Sequence, residues 1–374
     1  MNFDRLTEYL DHLPKNIVPG CDLVVWVEHR PVYRHFAGEA APGKPMTGRE
    51  TYWLYSATKV LTMTVTMQMV EQGVLRLSDR VTDYLPAFGR LTVQDGETVR
   101  PAKTELTLEH LMAMQGGLDY DRDTPAIHRT IEACGDEVTT VQLAESFAEK
   151  PLHFDPGTGY RYSLCHDVVG AVLEVAAGKP LSALAQEMVF EPLGIRNMSF
   201  HPNAEQLGRM ATEYTLTEDG RLIPATNRPN PFGRFPHYDS GGGGLMGDAD
   251  SYILLADALA NDGMGANGVR ILTRASIDDM RTNRQHGASM DDFRKVLHKR
   301  GYGYGLGVRT LIDPTTSKSP VGEFGWDGAA GAWTMMDVER HIAAFYAQHV
   351  LGCNRAFYEY HPRIRDLIYE GLDA

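Results

Sequence analysis

Cysteine is scarce in this chain: Cys21, Cys134, Cys165 and Cys353 are the only four in 374 residues. They are too few for a disulfide framework and share no metal-ligand spacing. His153 and His166 also lack partners at zinc-ligand spacing and read as surface or turn residues, so no metal and no cofactor is expected. Basic charge is short as well. Against 49 Asp and Glu stand 36 Lys and Arg, a formal net charge of −13, which makes nucleic acid and anionic lipid poor partners. No apolar run approaches the roughly 20 residues of a membrane span. The opening Met1-Asn2-Phe3-Asp4-Arg5-Leu6 has no basic segment followed by an apolar one, so the chain reads as cytoplasmic. No Gly-x-Ser-x-Gly elbow occurs, which argues against an α/β-hydrolase.

The apolar content of 43% supports a sizeable core, and the length calls for one large or two interleaved domains. Leu6 to Leu13 reads as a short amphipathic helix stopped before Pro14. Cys21–Val27 and Pro31–Phe36 read as two antiparallel strands. From Gly73 to about Phe200 strand signals are thin. Leu106–Met114, Val141–Ala148, Asp167–Ala177 and Leu181–Val189 fit helical spacing there, with Gly178 as a C-cap. After Gly241-Gly242-Gly243-Gly244 comes a helix, Ala249–Ala260. Strand character returns at Tyr304–Thr310, Gly331–Asp337 and His341–Gln348, and a helix from Tyr358 to Leu372 closes the chain. This order predicts an α+β fold: an antiparallel sheet from residues 1–60 and 225–374, flanked by helices, with a mostly helical domain, 61–224, inserted. The site is expected in the groove between them.

The stretch around which the rest is organised is Trp53-Leu54-Tyr55-Ser56-Ala57-Thr58-Lys59-Val60. Its helix is apolar all round, as a central buried helix is. Ser56 and Lys59, three apart, share one helix face. In the first turn, free backbone N–H groups and the helix dipole favour developing negative charge. A serine hydroxyl needs a base, and a lysine in low dielectric can lose its proton near neutral pH. Further on, Tyr160-Arg161-Tyr162-Ser163-Leu164 leads from a glycine-containing turn into a helix. A phenol there, beside a lysine, could act as general base and then general acid; the alternative is a turn tyrosine packed on the core. Phe324-Gly325-Trp326-Asp327-Gly328-Ala329-Ala330-Gly331 lies between two strands, and its small residues would let a substrate approach a backbone donor. Asp239-Ser240-Gly241-Gly242 echoes a trypsin-like nucleophile loop, but a helical middle does not suit that all-β fold. The methionines are core filling.

Taken together and in order, these stretches resemble the serine β-lactamase, penicillin-binding protein and family VIII carboxylesterase superfamily, from Gly20 to the final helix. Ser56-Ala57-Thr58-Lys59 is similar to its Ser-x-x-Lys motif, Tyr162-Ser163-Leu164 to its Tyr-x-Asn motif and Trp326-Asp327-Gly328 to its Lys-Thr-Gly or His-x-Gly motif. The segment Gly73–Pro86, the Glu191-Pro192-Leu193-Gly194 turn and Gly242-Gly243-Gly244-Leu245 match connecting stretches. The resemblance implies a β-lactamase-like fold and a serine hydrolase acting on a small-molecule ester or amide. Ser56 would be the acylated nucleophile, with Lys59 and Tyr162 moving its proton. The Ser56 and Ala329 N–H groups would form the oxyanion hole. Which of Lys59 and Tyr162 is the formal base stays open. Two departures steer the substrate. Leu164 stands for the motif's asparagine and Trp326 for the cation that would receive a carboxylate. They imply an apolar acyl pocket suited to esters, and Asp327, where family VIII carboxylesterases usually have glycine, and Gly328 are expected to bind substrate with them. A β-lactamase or D-amino-acid peptidase, an acyltransferase, and a binding protein without turnover are the rivals. Oligomeric state is not legible.

Overall fold

The computed structural model describes residues 1–15, 18–225, 230–233, 235–297 and 299–374. The apolar runs near both chain ends become one eight-stranded antiparallel sheet. In spatial order its strands are Tyr302–Tyr304, Arg309–Leu311, Phe324–Gly325, Trp333–Asp337, Ile342–Ala347, Gly20–Val27, Arg30–Ala41 and Lys44–Pro45. The two ends of the chain meet in the centre, where Gly20–Val27 pairs with Ile342–Ala347. Alternation along these strands divides the core. Leu23, Val25, Ala344 and Tyr346 face a cluster with Leu6, Leu10, Ile364 and Leu367 from the N- and C-terminal helices. Val24, Ala343 and Phe345 face the larger cluster, which holds Tyr252 and the helices around the site. Both faces are covered, so these strands read as apolar runs and not as half-polar ones.

The helix Thr58–Glu71 is buried from Thr58 to Met69 and packs against Cys165–Ala177 and Leu181–Ala185. Its threonines enter the core because their hydroxyls are spent on backbone carbonyls: Thr62 on Gly241, Thr64 on Val60 and Thr66 on Thr62. Gly178 caps Cys165–Ala177 in the left-handed region, at φ +66°.

Several elements differ from the sequence reading. Tyr304–Thr310 is not one strand: the chain turns through Gly307, at φ +76°, into a hairpin of Tyr302–Tyr304 with Arg309–Leu311. A Cβ at Gly307 would lie 2.2 Å from Met63 Cγ, so a glycine turn is what lets this hairpin sit on the central helix. The mostly helical middle also carries a hairpin, Thr92–Asp95 with Thr98–Pro101. Helices Pro125–Cys134, Arg274–Arg281 and Ala288–Leu297 are absent from the sequence reading: they are short, and each buries only two or three residues. His166 is a correction. It is fully buried, its Nε2 lies 3.1 Å from the Met112 carbonyl, and burial, with the Lys59 charge adding, pushes its pKa down to about 3. His153 is exposed and pairs with Asp119. Among the described residues no single helix is long and apolar enough to cross a membrane, and no group of three or more His, Cys, Asp or Glu is placed to hold a metal.

Candidate active site

Ser56 sits in a 3-10 turn, Tyr55–Ala57, between the strand Thr51–Trp53 and the long helix. That strand pairs with Met246–Asp248, and Leu54 N–H donates to the Leu245 carbonyl at 2.9 Å. Tyr55 is held at φ +45°, strained for a non-glycine residue, with its hydroxyl 2.7 Å from a Glu213 carboxylate oxygen. The chain thus turns sharply just before Ser56 and leaves it half-buried at the helix mouth.

Lys59 follows on the first helical turn and is completely buried. Its Nζ donates to Ser56 Oγ at 3.2 Å, to the Tyr120 hydroxyl at 2.9 Å and to the Gly242 carbonyl at 2.6 Å. Three acceptors match the three protons of an ammonium. The phenol that Lys59 reaches is therefore Tyr120, a residue the sequence reading passed over. Tyr162 lies beside it, its ring centroid 4.8 Å from Nζ, nearer than the Tyr120 ring at 5.7 Å, and 5.4 Å from that ring. Its hydroxyl accepts the Trp326 indole N–H at 2.8 Å. Burial pushes the Tyr120 phenol well above its ordinary pKa, and the Tyr162 oxygen beside it pushes the same way. The only sequence signal for Tyr120 was its place after the turn Gly116-Gly117, much like Tyr162 after Gly157 and Gly159.

Trp326 is buried, edge-on to Tyr304 at 4.9 Å between ring centroids. Directly after it, the loop Asp327–Ala332 brings Ala329 to Ser56. Gly328 allows this, because a Cβ there would lie 2.2 Å from the Leu54 carbonyl oxygen. The loop is closed by Gly328 N–H on Ala332 and Gly331 N–H on Gly328, at 2.7 and 2.8 Å. The Ala329 N–H donates to nothing among the described residues. Asp327 is not a free pocket wall. Its carboxylate meets Lys299 Nζ at 2.7 Å and His361 Nδ1 at 2.9 Å. Burial alone would raise its pKa, but Lys299 and Arg309 outweigh that and hold it well below the usual carboxylate range.

Ser56 opens into a cavity of about 400 Å3 whose walls include Tyr162, Leu297, Trp326, Ala329 and Phe357. Leu164 is a correction: its buried side chain lines a separate small hollow with Leu118, Ile127 and Phe147, and it does not line the Ser56 cavity. The helix Cys165–Ala177 starts directly after it, and that geometry turns the side chain into the helical layer. Ser240 is buried with its hydroxyl on Asp167, which ends its candidacy as a nucleophile.

This sheet with its helical layer, and a serine paired with a buried lysine at the helix mouth, define a serine hydrolase of the β-lactamase fold. The chain belongs to the beta-lactamase family, whose model matches residues 5–366. It is 30% identical to esterase EstB of Burkholderia gladioli over 331 residues, 80% of this chain and 78% of that one. To penicillin-binding protein 4 of Amycolatopsis lactamdurans it is 25% identical, over 84% of this chain and 73% of that one. Among solved structures it is similar to EstCE1, described as a hydrolase with promiscuous acyltransferase activity. The TM-score is 0.80 at 26% identity, covering 98% of both chains.

Proposed function

We propose that the protein hydrolyses carboxylic esters through an acyl-Ser56 intermediate. The observation that carries this reading is Lys59 Nζ, 3.2 Å from Ser56 Oγ, at the mouth of a cavity walled mainly by aromatic and aliphatic side chains, with Lys299, Asp327 and Asn354 among the rest. In the reacting form Lys59 is the neutral amine. It keeps donor bonds to Gly242 and Tyr120 and turns its lone pair to Ser56. Ser56 Oγ attacks the ester carbonyl as its proton passes to Lys59, and the carbonyl oxygen becomes an oxyanion facing the Ser56 and Ala329 N–H groups. The tetrahedral intermediate then expels the alcohol, which takes a proton from the Lys59–Tyr120–Tyr162 group. Water repeats the attack on the acyl-enzyme, returning the acid and free Ser56. These three side chains share protons and act as a unit.

Ester selectivity is supported by Trp326, an indole where related enzymes carry a cation for a carboxylate, and by the similarity to the esterase EstB. Acyl transfer differs only in replacing water by another alcohol or amine, and the description of EstCE1 favours keeping it as the second reading. The test compares 4-nitrophenyl butyrate with nitrocefin, alongside the intact mass of the protein after each. Ester hydrolysis should exceed β-lactam hydrolysis by several orders of magnitude in kcat/KM, with an acyl adduct that maps to Ser56. Equal efficiency would put the β-lactamase reading first.

A further inference from the structure

A second cavity, of about 420 Å3, abuts the one at Ser56. Lys299, Asp327, Phe357 and Tyr358 line both. Nothing in the hydrolytic steps above uses this bay. Its lining is cationic: Lys299, Arg300, Arg309 and Arg365 against the one carboxylate of Asp327. Arg365 is spent on Asp366, the Tyr302 hydroxyl and the Thr316 carbonyl. Arg309 is not. It is 2% exposed, and its Nη2 serves Glu323 and the Thr334 carbonyl at 3.1 Å each. Its Nη1 finds no hydrogen-bond acceptor among the described residues. Lys299 Nζ meets Asp327 at 2.7 Å, its one ion-pair partner among the described residues, with the Trp326 and Phe357 ring centroids each 6.0 Å away. Asp327 already divides its charge between Lys299 and His361.

The Arg309 guanidinium lies over the Tyr302 and Trp333 rings with Nη1 recessed behind the cavity wall, so it lends the bay its charge and not a direct contact. Burial pulls the Lys299 ammonium below its ordinary pKa; Asp327 opposes this and Arg309, a like charge close by, adds to it. An anion in the bay would meet the Lys299 ammonium and the exposed Arg300 directly, with the Arg309 charge behind the wall. We propose that this bay receives a carboxylate at the far end of the substrate, so that the ester cleaved at Ser56 carries a negative charge several bonds from its carbonyl. The inference rests on the ester reading above and narrows it to monoesters of dicarboxylic acids. The Lys299 ammonium and the rim guanidinium of Arg300 suit the two oxygens of a planar carboxylate. The Asp327 carboxylate on the same wall disfavours a more highly charged group. The cations come from the segment before the hairpin, the hairpin itself and the C-terminal helix, away from the third-motif position that Trp326 occupies.

The experiment uses 4-nitrophenyl monoesters of succinic, glutaric, adipic and suberic acids, each beside its methyl-capped neutral partner. At one chain length the free acid should exceed its capped partner at least ~10-fold in kcat/KM, the order expected of a charge-assisted pair. Lys299→Met should bring that ratio close to one; if this variant fails to fold, Arg300→Gln on the exposed rim should reduce the ratio instead. Capped esters that match or beat the acids at every length, in an enzyme active on 4-nitrophenyl butyrate, would overturn the bay and leave the ester reading standing. A ratio unmoved in a folded Lys299→Met protein would overturn it too. If no 4-nitrophenyl ester is cleaved, the ester reading falls, and the bay is decided by calorimetry on the Ser56→Ala protein. Suberate binding that dimethyl suberate lacks, and that Lys299→Met loses, supports the bay; no suberate binding refutes it.

Discussion

Ser56→Ala removes one half-buried hydroxyl and leaves the backbone turn at Tyr55 in place. Ester hydrolysis and fluorophosphonate labelling should vanish while the melting temperature stays within a few degrees; retained turnover would refute the nucleophile. Tyr120 decides more. Its hydroxyl is one of three partners of a buried Lys59, so Tyr120→Phe should lower kcat at least ~100-fold, the low end for positioned proton transfer. Tyr162→Phe should cost a similar factor, because its oxygen bridges the Trp326 N–H to the Tyr120–Lys59 group. The double variant should lose far less than the product of the two, as residues acting as a unit do. Multiplicative losses in single-turnover kinetics would separate them. Ser56, Lys59 and Tyr162 were legible in the sequence as candidates, because local spacing and turns mark them. Tyr120 was not, since a lone tyrosine in a loop carries no spacing to a lysine far along the chain.

At the scale of elements, two loops hold the chemistry in place. The loop carrying Tyr120 is anchored by Asp119, which accepts from Lys150 Nζ at 2.7 Å and meets His153 Nε2 at 2.8 Å. Burial would raise the Asp119 pKa, but the His153 and Lys150 bonds prevail and bring it down to about 2. A folded-state pKa below the unfolded value means stability present above about pH 4 and lost as pH falls toward 2. Asp119→Asn should therefore flatten the acid limb of the stability curve between those limits; an unchanged limb in urea titrations would show that the anchor contributes nothing. The second loop is Asp327–Ala332. Gly328→Ala puts a methyl against the Leu54 carbonyl, so the loop must withdraw and take Ala329 N–H with it. Losing an oxyanion donor costs ~10²–10³ in kcat with little change in KM. A normal kcat would remove Ala329 from the oxyanion hole. Here the sequence showed the small residues but not the carbonyl that makes them necessary.

At the scale of the whole molecule, the C-terminal helix His361–Asp373 buries Ile364, Leu367, Ile368 and Tyr369 against the sheet face shared with Asp4–His12, and His361 bridges the Asp327 carboxylate and the Gly331 carbonyl. Four large side chains at roughly 1.5–3 kcal/mol each approach the whole stability margin of a typical protein. Removing residues 361–374 should leave a protein that does not melt cooperatively by calorimetry; a sharp transition near the wild-type temperature would show that the helix is dispensable. The sequence by itself determined what period and spacing encode: apolar strands at both chain ends, a central helix apolar all round, the Ser56–Lys59 face and the glycine-bearing third motif. It placed Leu164 on the wrong wall and read Tyr304–Thr310 as a single strand, because nothing local reports which neighbour a side chain will meet. Only the tertiary structure brought Tyr120 to Lys59, set Lys299 and Asp327 in the wall of the Ser56 cavity, and put His361 against Asp327. These residues come from segments that share no periodicity. Their meeting is fixed by how the helical layer and the C-terminal helix pack on one sheet, and burial then forces each charge to find its partner.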